Sequence, residues 1–311
     1  MLTQSSNTTA RALANTLAQL QEAALSNLVE TFVKIELADK STGTRKWYEN
    51  HLGALIEWLG PERPLSDITT PELMTWRAWI VSPERGLSRD TQHGHIRACR
   101  RLFSWASAMN GLPDPAKKLK QVAIKRYERR GVSESNSAAI LGAASSNVRD
   151  YALLLFLATT GCRLGGASGL RFCDLDLDRR QAQVVEKGNV ARQVFFTDIA
   201  ADALTAWLAV RPKSESDHVF VGKKHNESEW HALTPDGVSE ILDRYKNKLG
   251  LKGPCSPHQF RHRLGRKLSS DGMNIGVVAQ VMGHKDPSVT ILFYGGFDNQ
   301  ELQGIYNRFM D

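Results

Sequence analysis

Cysteine is scarce in this 311-residue chain: there are four, at positions 99, 162, 173 and 255, far apart and with no CxxC pair. That excludes a cysteine-rich zinc cluster and a secreted disulfide framework, and leaves Cys99, Cys162, Cys173 and Cys255 as reduced, partly buried thiols. Long apolar runs are missing as well. No stretch approaches the roughly 20 residues needed to span a bilayer, so a membrane protein is not expected. The first residues, Met1 to Ala14, lack the basic start and apolar stretch of a secretion signal, and cytoplasmic residence is the expectation. Acid is in deficit, with 33 Asp and Glu against 40 Lys and Arg, a formal net charge of +7. Such an excess suits a polyanionic partner, because cations that neutralise phosphates release condensed counterions. Charge alone leaves that inference at even odds.

What is present is an ordinary globular composition, 41% hydrophobic and 23% charged, in a chain long enough for two domains with real cores. From residue 26 to residue 110 apolar side chains recur three or four apart (Leu28, Phe32, Ile35; Leu52, Leu55, Ile56, Leu59), which predicts four helices over about 27–39, 42–59, 71–80 and 89–109. Thr70, before Pro71, and Ser88 read as helix N-caps. Pro113 and Pro115 then interrupt the pattern. Lys117, Lys118, Lys120, Lys125, Arg126, Arg129 and Arg130 follow in a span almost free of acid, read as a basic interdomain linker over 113–132 that lies on phosphates. The expected organisation is a short N-terminal helix or tail over 1–25, a helical domain over 26–112, this linker, and a second domain over 133–311. The second domain is again mainly helical, but residues 183–197 alternate around Lys187, Gly188 and Asn189 and predict a β-hairpin, with a further short strand near 218–221. The fold class expected is mainly α with a small β-sheet.

Several polar residues of the second half sit where helices normally bury apolar ones. Arg163 follows the apolar run Tyr151 to Ala158 and the turn Thr-Thr-Gly-Cys; a buried ion pair with an acid such as Asp174 is the plainest account of it. His258, Arg261 and His262 form HxxRH just after Pro257, at the start of a helix, where anions bind and an arginine fork matches phosphate geometry. The pair His258 and His262 has the spacing of half a zinc-protease site, yet Gln259 stands where its catalytic glutamate belongs. Gly283 fits a helix C-terminus and puts His284 in a turn, and Tyr294 alone is an unremarkable aromatic.

Taken in order, TTGCRLGGASGLRFCDLDL, the hairpin lysine, SPHQFRH and VMGHKDPSVTILFY resemble the tyrosine recombinase (phage integrase) family, in the manner of a Xer-like or simple integrase. The resemblance covers essentially all of 133–311, and the helical 26–110 segment is similar in size to the family's core-binding domain. It implies a clamp on DNA formed by two domains and six catalytic residues: Arg163, Lys187, His258, Arg261, His284 and Tyr294. By that resemblance Arg163 and Arg261 stabilise the charged transition state, His284 adds a hydrogen bond, His258 accepts the tyrosine proton, Lys187 protonates the leaving 5′ oxygen, and Tyr294 holds the 3′ phosphate covalently. Bond energy is conserved, so neither ATP, metal nor other cofactor is implied. The implied partners are double-stranded DNA with short inverted-repeat core sites and three further copies in a tetramer that exchanges strands through a Holliday junction. There is room for an accessory bending or directionality protein, and the bound enzyme would sit on the nucleoid.

Three positions depart from the family pattern. Gly166 replaces the acidic residue usual three positions after the first arginine. Arg263 stands where a small hydroxyl residue is common, and Phe293 occupies the alternative tyrosine spacing while Tyr294 lies ten positions after His284. The tail from Phe297 to Asp311, with Leu302, Ile305, Tyr306 and Phe309 at helical spacing, docks on a neighbour or on its own core. Rival readings are a regulator that kept the fold without catalysis, a type IB topoisomerase-like relaxing enzyme, and a metal-dependent nuclease or protease.

Overall fold

The computed structural model describes residues 23–111, 113–124, 131–186, 188–223, 227–253, 255–284, 286–297 and 299–310. Lys187 and the basic residues Lys125, Arg126, Arg129 and Arg130 lie outside the described residues. Contacts divide the chain into two units, 1–126 and 127–311.

Among the described residues, the α-helices of the first unit are α1 (Leu25–Ile35), α2 (Thr42–Leu59), α3 (Thr70–Val81) and α4 (Arg89–Asn110). The apolar stripe of α1 (Leu25, Leu28, Phe32) is fully buried, and Trp76 of α3 fills the centre, its indole N–H donating to the Ala54 carbonyl at 3.3 Å. Two boundaries differ from the sequence reading. The first helix ends at Ile35, because the next helix is already capped by Ser41, whose hydroxyl accepts from the Thr44 N–H. The cap of α3 is Thr69 rather than Thr70: its hydroxyl accepts from the Glu72 N–H while the Glu72 carboxylate accepts from the Thr69 N–H at 2.9 Å, a reciprocal capping box. Ser88 caps α4 as its position predicts. The stretch 113–124 lies on this core through buried Ala116, Leu119 and Val122, and leaves Lys117, Lys118 and Lys120 exposed.

The second unit is built around α6 (Val148–Thr160), preceded by α5 (Glu134–Ala144). Leu153 through Leu157 are buried on every side of α6, as an all-round apolar helix requires. Its N-terminal end is fixed by Asp150, which is fully buried and accepts from the Tyr245 hydroxyl at 3.1 Å while pairing with Arg149 and Arg244. Its C-terminal end turns at Gly161, φ 56°, a left-handed position that suits glycine. The short α7 (Leu164–Ser168) follows, then an antiparallel sheet of β1 (Leu175–Asp176), β2 (Gln181–Glu186) and β3 (Val190–Phe195), in which Val184 pairs with Arg192 and Glu186 with Val190. The tight connection uses Gly188 and Asn189, both at positive φ. Helix α8 (Asp198–Val210) leads to the two-stranded sheet of β4 (Val221–Gly222) and β5 (His231–Ala232), and α9 (Pro235–Lys248) completes the main core.

The C-terminal part comprises α10 (Pro257–Ser270), α11 (Ile275–Met282), α12 (Pro287–Tyr294) and α13 (Asn299–Met310). A small cluster of Val278, Met282 and Tyr294, with Leu264, Leu268 and Phe293 against it, joins α10, α11 and α12. The last helix is tied to α10 by the Arg266–Glu301 ion pair at 2.7 Å and leaves Leu302 and Tyr306 exposed. No described helix is long and apolar enough to cross a membrane. Cys99, Cys162 and Cys255 are buried free thiols, and Cys173 is exposed.

Candidate active site

Arg163 occupies the N-cap position of α7, directly after the Gly161 turn. Its partner is not Asp174. The backbone N–H of Arg163 donates to Glu186 Oε1 at 2.7 Å, and its guanidinium pairs with Oε2 of the same carboxylate. Glu186 ends β2 and is almost fully buried, and it also accepts from Arg192 of β3 at 3.1 Å and lies 3.8 Å from Arg261. Three guanidiniums against one carboxylate leave a net charge of +2 at this point. Burial pushes the Glu186 carboxyl up, but the Arg163 N–H, Arg192 and the Arg163 guanidinium outweigh it and hold the group below the usual carboxylate range.

Arg261, on the first turns of α10, is 1% exposed. It donates to the Gly161 carbonyl at 2.7 Å and to the Met282 carbonyl, so one fork closes the C-terminal ends of α6 and α11, where the helix dipoles are negative. Burial, with Arg163 next in weight, lowers its pKa to about 10, which still leaves it charged at neutral pH. Gly283, φ 64°, ends α11 and puts His284 in the following turn, as the sequence predicts. Burial first, then Arg261 and Arg163, depress His284 to about 4, so its ring is neutral. His284 Nδ1 is 2.7 Å from the hydroxyl of Thr290, which is fully buried.

Arg163, Glu186, Arg192, Gly283, His284 and Asp286 line a cleft of about 640 Å³. Tyr294 stands behind it, 1% exposed, with its ring parallel to that of His284 at 6.1 Å. Its hydroxyl meets His262 Nδ1 at 3.0 Å. Gly265 makes the slot for the ring: a Cβ there would come within 2.5 Å of two ring carbons. His258 is exposed one turn earlier on α10, its ring edge-on to that of His262 at 4.5 Å. The fold therefore brings Arg163, Arg261, His284 and Tyr294 together and leaves His258 exposed, in contact with His262. Lys187, two residues before Asn189 in the hairpin connection, lies outside the described residues.

Glu186, Arg192 and Thr290 are not among the residues that the sequence singles out, and His262 is singled out only for its spacing from His258, not as the partner of Tyr294. For two of them a signal existed. Ala182, Val184 and Glu186 occupy alternate positions of β2, so Glu186 falls on the inward face, and Arg192 pairs with Val184 on that same face. An acid and a base at inward strand positions imply a buried ion pair. Among the described residues no group of three or more His, Cys, Asp or Glu is placed to hold a metal ion. What the arrangement can do chemically is hold a singly charged oxyanion and stabilise a second negative charge as it develops, next to a phenolic oxygen.

Residues 132–299 match the model of the phage integrase family. The tyrosine recombinase XerC of Corynebacterium glutamicum is 29% identical over 278 residues, 86% of each chain. XerC of Xylella fastidiosa strain M23 is 25% identical over 290 residues, 91% of this chain and 96% of that one. In fold, the chain is similar to a lambda integrase dimer bound to a core site (TM-score 0.72, 16% identity, 93% of this chain and 83% of that one). It is also similar to the XerH site-specific recombinase bound to a palindromic difH substrate, in a post-cleavage complex (TM-score 0.68, 19% identity, 93% and 85%).

Proposed function

The chain belongs to the phage integrase family and is a site-specific tyrosine recombinase, and from that premise we propose that it cuts duplex DNA by forming a 3′-phosphotyrosine at Tyr294. The observation that carries the reading is the convergence of Arg163 and His284, which line the cleft, with the buried Arg261 and Tyr294 next to them. A phosphodiester in the cleft brings one negative charge, and attack adds another on the non-bridging oxygens. The fixed guanidiniums stabilise that second charge with little reorganisation. Neutral His284, its Nδ1 engaged by the Thr290 hydroxyl, is left to donate from its other nitrogen to the same oxygens.

In the attack the Tyr294 oxygen forms a bond to phosphorus and the bond from phosphorus to the 5′ oxygen breaks. The phenol loses its proton and the leaving oxygen gains one. A phenol of pKa about 10 is only about one part in a thousand ionised at neutral pH, so the proton needs an acceptor. His258, exposed near the start of α10, is the acceptor the family resemblance implies. A second reading is favoured by the 3.0 Å contact between the Tyr294 hydroxyl and His262: His262 takes the proton, and His258 faces the DNA. Lys187 supplies the proton to the 5′ oxygen. Return of a 5′ hydroxyl from a second site reverses the bonds and joins the strands, which gives exchange through a Holliday junction in a tetramer; Leu302 and Tyr306 on α13 are apolar surface for a neighbouring copy to cover. The basic residues Lys117, Lys118 and Lys120, exposed on the first unit, suit DNA phosphates. Cytoplasmic residence, short inverted-repeat sites and an accessory directionality protein belong to the same proposal.

The test is a suicide substrate: nicked duplexes tiling the DNA that flanks its own gene, incubated with the purified protein. Wild type should yield an adduct that survives denaturation, and Tyr294→Phe should not. Adducts from both would move the nucleophile elsewhere, while specific binding without any adduct would favour a regulator that kept the fold alone.

A further inference from the structure

The family's acidic residue three positions after the first arginine is absent, and Gly166 stands in its place on α7. A carboxylate nonetheless reaches Arg163, from a different element. Glu186, at the end of β2, takes the Arg163 N–H on one oxygen and the Arg163 guanidinium on the other, so it fixes both the backbone and the side chain of the same residue. The two positions face one space. A Cβ on Gly166 would stand 3.5 Å from Glu186 Cγ and 3.3 Å from Val184 Cβ, so an acidic side chain there would enter the volume that Glu186 fills. Two carboxylates in that volume would also repel each other beside a half-exposed arginine. We infer that Glu186 is the positioning residue for Arg163 in this chain, replacing from the strand the acid missing from the helix, and that Gly166 is the vacancy that admits it.

The arrangement does more than a helix-borne acid at one arginine. Through Arg192 at 3.1 Å and Arg261 at 3.8 Å, Glu186 sets the spacing of three guanidiniums, two of them nearly buried, and so the shape of the phosphate site. Arg192 is held in turn by the Val281 carbonyl, next to Gly283, where a Cβ would collide with its side chain. Glu186 is an anion, and a phosphate in the cleft is drawn to the arginines rather than to it. Glu186 acts through those arginines, and an error of about 1 Å in placing such a group is enough to slow a reaction about a hundredfold.

This inference rests on the recombinase reading, and its test separates the two. Wild type, Glu186→Gln, Glu186→Ala, Gly166→Glu and the double variant Gly166→Glu/Glu186→Ala are compared for adduct formation on the nicked duplexes at saturating DNA. In parallel, the arginine side-chain signals of each ¹⁵N-labelled protein are recorded without DNA. The three single variants should form adduct about a hundredfold more slowly, with DNA affinity little changed, and the double variant should recover at least tenfold over Glu186→Ala. Rotation of the Arg163 guanidinium should be slow in wild type, fast in Glu186→Gln and slow again in the double variant. Wild-type rates in Glu186→Gln, or a double variant no faster than its parents, overturn the inference. If wild type forms no adduct, the recombinase reading fails, and the arginine signals alone decide whether Glu186 holds Arg163. Cooperative thermal unfolding of each variant shows that a slow rate is not lost folding.

Discussion

Gly265→Ala places one methyl group against the ring of Tyr294. In an open helix position the change stabilises by about 1 kcal/mol, through backbone entropy. Gly265 is not open: the new carbon would lie 2.5 Å from Tyr294 Cε2 and Cζ and 3.0 Å from Cδ2, in a slot where the ring is 1% exposed. Overpacking of this kind costs about 1–3 kcal/mol. A ring displaced by an ångström also leaves His262, and a lost hydrogen bond costs about 1 kcal/mol more. Against the gain of about 1 kcal/mol, the net loss is about 1–3 kcal/mol, or roughly 2–12 °C in Tm for a domain of this size. Gly142→Ala in α5 is the control, since nothing lies within 4 Å of its Cβ, and it should gain about 0.5–1 kcal/mol. Thermal and urea unfolding of both variants against wild type decide the matter. A Gly265→Ala protein as stable as Gly142→Ala would refute the argument that the ring is held in place by α10.

Three further outcomes are expected. Lys187→Ala should slow cleavage of an ordinary nicked duplex but not of one whose 5′ bridging oxygen is replaced by sulfur, because a thiolate leaves without protonation; equal slowing of both would remove Lys187 from the role of acid. His262→Ala should reduce adduct formation more than His258→Ala when His262 accepts the proton, and the reverse order would return that role to His258. His284 has a folded pKa of about 4 against 6.5 unfolded, so the unfolded chain takes up the proton first and stability falls as pH drops from about 6.5 to about 4. Urea unfolding across that window should therefore show a shallower pH dependence in His284→Asn than in wild type, and parallel curves would contradict the buried, neutral ring.

The helices of both units were legible because their apolar faces repeat at helical spacing, and Gly161 and Gly283 marked the turns that present Arg163 and His284. Thr69 was missed by one residue although Glu72, three positions on, is the partner a capping box requires. The expected buried ion pair of Arg163 exists, but its acid is Glu186 rather than Asp174, because strand alternation points Glu186 inward on the same face as Ala182 and Val184. The contact of Tyr294 with His262 depends on how α12 packs against α10. No periodicity within either helix encodes that docking, so it emerges only in three dimensions.

The two walls of the cleft differ in how firmly they are anchored. Arg163 and Glu186 hang from the main core of the second unit, with α6 pinned at its far end by the Asp150 network, whereas Tyr294 rides on a short helix held by Val278, Met282 and its own ring. Regions with few buried apolar contacts open at lower free energy than the core around them. Amide exchange will accordingly find 287–294 opening ahead of 148–160, so that Tyr294 can swing away and return while the frame of charges around Glu186 stays put. Such a division lets one protein keep its grip on a substrate through successive making and breaking of the same bond.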